Sequence, residues 1–211
     1  MKICYNNRIE NIFQFSFFNF HLVRKQIFNK ALKILLATNG LILIAGAMLG
    51  PIYALFVEQV GGDLLDASIA GGLFALSAGL VSLVFGRLSD EMRHSEWVMV
   101  LGYGLIGLGF LLYLFVDSVL FLFAVQVIIG FGEAIYSPAF DKLYSLHLVD
   151  GKGGTEWGAW ESMNYFTAAF GALAGGLIVN RFGFNAMFIV MAVLCYLSAS
   201  YLYLLSPKRV L

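Results

Sequence analysis

One carboxylate stands inside an otherwise uncharged apolar run. Glu133 follows the uncharged stretch 118–132 and precedes the uncharged stretch 134–140. It lies eight residues before Asp141, so about 12 Å from the charged end of a helix rising 1.5 Å per residue. A carboxylate at such depth in hydrocarbon is costly unless it is solvated, paired or protonated. No Lys or Arg lies inside any of the apolar runs to pair with it. Either Glu133 faces a central cavity and binds a proton or contacts a solute, or it lines a water-filled inner vestibule without a coupling role. A position against lipid fits least well. Asn39, Tyr53, Gln126, Tyr136 and Asn164 are the other candidate contacts within the apolar runs. The plainer reading of buried Asn and Gln in such runs is a hydrogen bond between helices.

Other chemistries find little support. His21, His94 and His147 are far apart and have no Cys or acidic partners at metal-ligand spacing. No Ser-His-Asp set or carboxylate pair is placed to act as a catalytic centre, and no glycine-rich nucleotide loop follows a strand. The chain is therefore expected to be no enzyme and to carry no cofactor. Two cysteines, Cys4 and Cys195, make no disulfide framework. With 13 basic and 13 acidic residues, the balanced charge gives no indication of nucleic acid as a partner.

The elements that must position these residues are long and apolar. Of 211 residues, 60% are hydrophobic and 12% charged, and the mean hydropathy is +0.84. A soluble domain of this size needs more polar surface. Six windows are each close to the roughly 20 residues that cross a bilayer as a helix; they give approximate helices at 34–57, 67–86, 97–116, 118–140, 158–180 and 182–205. None alternates with the two-residue period of a lipid-facing strand. An all-α, polytopic six-helix transmembrane domain over 34–207 follows, with an amino-terminal arm at 1–33 and a tail at 208–211. The arm, with aromatic residues from Phe13 to Phe20, reads as an amphipathic segment on the membrane or as an upstream extension.

Alternating six spans puts 12 of the 13 basic residues on one side and leaves Arg181 on the other. Positive residues stay cytoplasmic, so both termini are expected inside an integral protein of the plasma or inner membrane. Small residues provide faces for close helix packing: Gly71, Ala75, Gly79, Ser82 and Gly86 in span two, and Ala168, Ala172 and Gly176 beside Gly171 and Gly175 in span five. Gly46 and Gly50 in span one, and Gly102 and Gly109 in span three, repeat the device. Pro51 and Pro138 each remove an internal hydrogen-bond donor, so a kink or local unwinding is expected at both. Span five opens with Glu156, Trp157, Trp160 and Glu161; its tryptophans fit the headgroup level, and Thr155 or the preceding glycines fit a helix cap.

The cytoplasmic end of span two carries Gly86-Arg87-Leu88-Ser89-Asp90-Glu91-Met92-Arg93-His94. Gly86, Arg87, Asp90 and Arg93 are candidates for a gating connection: Asp90 can accept from backbone N–H groups or pair with a base, and Arg87 and Arg93 can reach a carboxylate such as Asp141. An ordinary charged hairpin explains the same residues. Gly86-x-x-x-Asp90 resembles the loop motif between helices two and three of major facilitator superfamily transporters, although Glu91, Arg93, His94 and Ser95 depart from its later positions. Gln126 to Gly132 with Pro138-Ala139 is similar to that family's fourth helix, with Gln126 where many members have arginine. Gly171 to Gly176 is similar to its fifth, and Asn180 to Phe184 to the entry into its sixth.

The resemblance covers about residues 34–205 and implies one amino-terminal half of the family's twelve-helix fold. It implies secondary active transport of a small solute by alternating access, open to proton coupling, with a second six-helix unit or a second copy of the chain completing the site. The alternatives are a non-transporting membrane scaffold or complex subunit, or an inactive fragment of a full-length transporter.

Overall fold

The computed structural model describes residues 29–92 and 94–209, with side chains through 204. The first 28 residues of the expected arm, and Arg93, lie outside this range. All regular structure among the described residues is helical: α1 (Lys30–Leu49), a 3-10 turn (Gly50–Ile52), α2 (Tyr53–Gln59), α3 (Leu64–Glu91), α4 (Ser95–Leu112), a 3-10 turn (Tyr113–Phe115), α5 (Val119–Leu146) and α6 (Gly153–Arg209). Five helical runs among the described residues are long and apolar enough to cross a membrane: Lys30–Gln59, Leu64–Glu91, Ser95–Phe115, Val119–Leu146 and Gly153–Leu204. The protein is an all-α polytopic membrane bundle.

Local chemistry sets the helix ends. Asn29 caps α1, its Oδ1 accepting from Leu32 N at 2.8 Å. Its Nδ2 donates to the carbonyl of His147 at 2.8 Å, tying the start of α1 to the end of α5. Asp63 and Asp66 form a reciprocal capping box at the start of α3. At Pro51 the expected unwinding occurs, and α1 gives way to a 3-10 turn before α2 resumes. At Pro138 it does not, for α5 continues as helix through Pro138 to Leu146.

The last run is too long for a single crossing. Gly40 in α1 lies against Met163, and Gly171 against Ala47, so the first part of α6 runs beside α1 in the same direction. Ser198 Oγ donates to Thr38 O at 2.7 Å, and Phe188 packs on Phe56 with ring centroids 4.8 Å apart, so the later part runs the opposite way. The chain turns at Gly183, whose φ of 80° and ψ of 172° are non-helical. A side chain there would strain the backbone, and glycine does not.

α1 and α4 both pack against α6, α4 also packs against α5, and α5 carries α3 on its far side. The small-residue faces divide in an unexpected way. Gly102 and Gly109 approach α5 closely, as expected, and Gly132 of α5 returns the contact at Ile106 and Gly102. In α6 it is Gly171 and Gly175 that meet α1, whereas Gly176 has open space. The Gly71, Gly79 and Gly86 stripe of α3 also meets no neighbour. α3 instead packs through Phe74, Ser77 and Ala78 against Gly130 of α5. The stripe expected to close a contact is thus part of an open face. Leu76, Leu80 and Leu83 are exposed with it, as are Phe166, Phe170 and Leu173 on α6.

Candidate functional site

A cavity of about 390 Å³ opens between α1, α3, α4 and α5. The break at Pro51 helps form it, because Gly46 and Gly50 put no side chain into the space and Tyr53, just beyond the turn, lines it. Four of the six candidate contacts converge there: Tyr53, Gln126, Glu133 and Tyr136. Gln126 Nε2 donates to Tyr53 Oη at 2.5 Å, bridging α5 and α2. Tyr136 donates its hydroxyl to Glu133 Oε1 at 3.0 Å, one turn along α5. Because α5 extends to Leu146 rather than ending near 140, Glu133 lies at the middle of the helix, about 20 Å from either end.

The other two candidates lie elsewhere. Asn39 is 2% exposed and does not line the cavity; its Oδ1 has no hydrogen-bond partner among the described residues. It follows Thr38, whose carbonyl accepts from Ser198 where α1 packs against α6. Asn164 is half-buried on α6 and also lies off the cavity. Sequence reasoning missed Phe74, Phe110 and Tyr113, which complete the aromatic wall. Their spacing is that of any apolar helix, and only the rotation of α3 and α4 in the bundle aims them inward.

The gating candidates are organised differently from expectation. α3 runs on to Glu91, so Gly86, Arg87 and Asp90 sit on its last turns and the connection shrinks to 92–94. Asp90 and Arg87 are exposed, and neither forms an ion pair among the described residues; the expected reach from Arg87 to Asp141 is not made. Lys142 of α5 makes the link instead. Its Nζ donates to Ser89 O at 2.5 Å, Met92 O at 2.9 Å and, more weakly, Asp90 O at 3.4 Å. Helix carbonyls at a C-terminus lack intrahelical donors and carry partial negative charge, so an ammonium there is doubly favourable. Lys142→Met retains the aliphatic stem and removes the donor, and is expected to lower stability by about 2 kcal/mol. Thermal unfolding of the purified variant checks this, and an unchanged midpoint would contradict it.

Nearby, the buried Glu96 lies 3.2 Å from His94 Nδ1. Glu156 sits in the first turn of α6, where its Oε2 accepts from Val149 N at 2.9 Å, and α6 begins at Gly153, ahead of Thr155. Trp157 and Trp160 pack on Tyr144 and Phe140 of α5.

A sequence model of the Major Facilitator Superfamily matches residues 35–210. An uncharacterized MFS-type transporter of Bacillus subtilis, YitZ, is 28% identical over 158 residues, covering 73% of this chain and 93% of the relative. The multidrug resistance protein MdtG of Yersinia enterocolitica is 26% identical over 188 residues, covering 85% of this chain and 45% of the relative. The MFS-type transporter MJ1560 of Methanocaldococcus jannaschii is 24% identical over 151 residues, covering 72% and 39%. The chain thus spans nearly the whole of one relative and less than half of the other two. Its family is one of transporters rather than enzymes. With an apolar helical bundle and a family match over most of its length, the chain belongs to the Major Facilitator Superfamily.

Proposed function

We propose that the protein performs secondary active transport of a small solute by alternating access, with Glu133 at the solute and proton site. The observation that carries the reading is the cavity itself: a mid-helix carboxylate with Tyr53, Gln126 and Tyr136 around one space. A mostly apolar cleft that holds a carboxylate, an amide and phenols favours transport over a scaffold, in which such groups would be buried in helix contacts, as Asn39 is. The reversal at Gly183 supports six crossings, with α6 contributing two. It also supports a common side for Lys30, Lys33, Arg87, Lys142 and Lys152, opposite Arg181, and hence cytoplasmic termini.

One bundle of this kind supplies one wall of an alternating-access site. The open faces of α3 and of the first part of α6 fit a second six-helix unit, and relatives about twice as long fit the same arrangement. Family halves are related by an axis along the membrane normal, so two parallel copies meet the geometric need. Native mass measurement in nanodiscs, paired with a solute-uptake screen in proteoliposomes, tests this. A dimer that accumulates solute is expected; a stable monomer without uptake would overturn the homodimeric transporter.

A further inference from the structure

We propose that the cavity takes a monovalent lipophilic organic cation of the quaternary ammonium or phosphonium type, with its charge beside Glu133. This rests on the cavity being the solute site. Its volume of about 390 Å³ falls in the range of roughly 300–1,000 Å³ common to small-molecule sites. Five aromatic rings line it: Tyr53, Phe74, Phe110, Tyr113 and Tyr136. Aromatic faces attract cations, and rings grouped around one space are the usual means of holding a quaternary ammonium group. Among the described residues, Glu133 is the one carboxylate of the lining, and no Lys, Arg or His joins it. One carboxylate balances one positive charge, and a buried anion would find no counter-charge.

The remaining solute classes fit less well. A sugar would bring many hydroxyls to a wall that is mostly aliphatic and aromatic, leaving them desolvated without partners. Gln126 and Tyr53 already bond to each other, which reduces what they offer a polyol. A small inorganic cation needs about six oxygen ligands, beyond one carboxylate and a few phenols. A soft cation with greasy substituents needs only the rings, the aliphatic wall and the single charge. Tyr136 holds Glu133 Oε1 in place and leaves Oε2 without a donor among the described residues.

The test is equilibrium binding of radiolabelled tetraphenylphosphonium to the purified full chain in nanodiscs, with tetraphenylborate as the size-matched anion. Saturable binding is expected, with no displacement by the borate. Glu133→Gln is expected to weaken binding about tenfold or more, as loss of a charge contact worth at least ~1.4 kcal/mol requires, and Glu133→Asp to restore most of it. Gly46→Leu fills the cavity from the α1 wall, where a Cβ meets nothing within 4 Å, and is expected to remove binding with Glu133 still present. No saturable binding to the wild type, displacement by the borate, or wild-type affinity in either Glu133→Gln or Gly46→Leu would overturn the cation site. If the phosphonium fails to bind while the uptake screen finds another solute carried, the solute class falls and transport stands. If it binds as expected and no solute is carried, transport falls and the cation site stands.

Discussion

Glu133→Gln is expected to cut solute uptake in proteoliposomes about tenfold or more and to abolish its pH dependence. The substitution preserves volume and leaves an Oε1 to accept from Tyr136, so the contact at 3.0 Å persists. What it removes is a charge and a proton-binding group from the middle of a membrane helix, where an ionisable residue is functional by default. Its neighbours, Tyr53, Gln126 and Tyr136, offer no second carboxylate to take over the role. Stability should change by less than about 1 kcal/mol, so thermal unfolding separates lost function from lost fold. Uptake and pH dependence both unchanged in Glu133→Gln would show that the carboxylate only lines a vestibule.

Gly175→Val is expected to destabilise the bundle strongly. A Cβ at Gly175 would collide with the backbone carbonyl of Met48, with the Met48 carbonyl carbon 2.7 Å and its Cα 2.8 Å away. Backbone atoms cannot swing aside as a side-chain tip can, so α1 and α6 must separate. Overpacking of this kind costs about 1–3 kcal/mol, and here the collision is with main chain, which favours the upper end. Separation would also forfeit the neighbouring close approach of Gly171 to Ala47 and Ile44. One position on, Gly176 has nothing within 4 Å of its Cβ. Gly176→Val should therefore stay within about 0.5 kcal/mol of wild type. Thermal midpoints of the two variants in one detergent decide the matter, and equal shifts would contradict the packing described.

That pair of adjacent glycines shows where sequence reasoning stops. Apolar length marked the membrane helices because hydrocarbon imposes it directly. Rotation is another matter. A helix that is apolar on every side has no amphipathic stripe to show which face points inward. Gly171 and Gly175 sit one step round the helix from Ala168, Ala172 and Gly176, and both sets have the spacing of a packing face. The same ambiguity hid the open direction of the Gly71–Gly79 stripe and the inward direction of Phe110 and Tyr113. Among the polar candidates, Gln126 and Asn39 are alike in type, yet one bonds to Tyr53 at the cavity and the other is buried away from it.

Charge was legible by position but not by partner. The basic residues near the end of α3 pointed to an electrostatic connection, which exists, but the cation that makes it is Lys142 on α5. Its acceptors are main-chain carbonyls, and every helix has those at its C-terminus regardless of sequence. Proline was equally selective: Pro51 sits where the chain passes through a 3-10 turn into the cavity wall, whereas α5 tolerates Pro138. Of the gating candidates, Gly86, Arg87 and Asp90 lie on α3, and the extension of that helix to Glu91 makes these three helical residues.

In alternating access, the cavity beside Glu133 would open in turn to each side of the membrane. A cysteine at Gly46 tests it most directly, since that position lines the cavity and has room for a side chain. With Cys4 and the buried Cys195 replaced by serine and alanine, Gly46→Cys would be exposed to membrane-impermeant maleimide from each face of oriented vesicles. Labelling from either face is expected, with solute or a proton gradient shifting the balance from one face to the other. Labelling from one face only, unmoved by solute and gradient, or from neither, would contradict it.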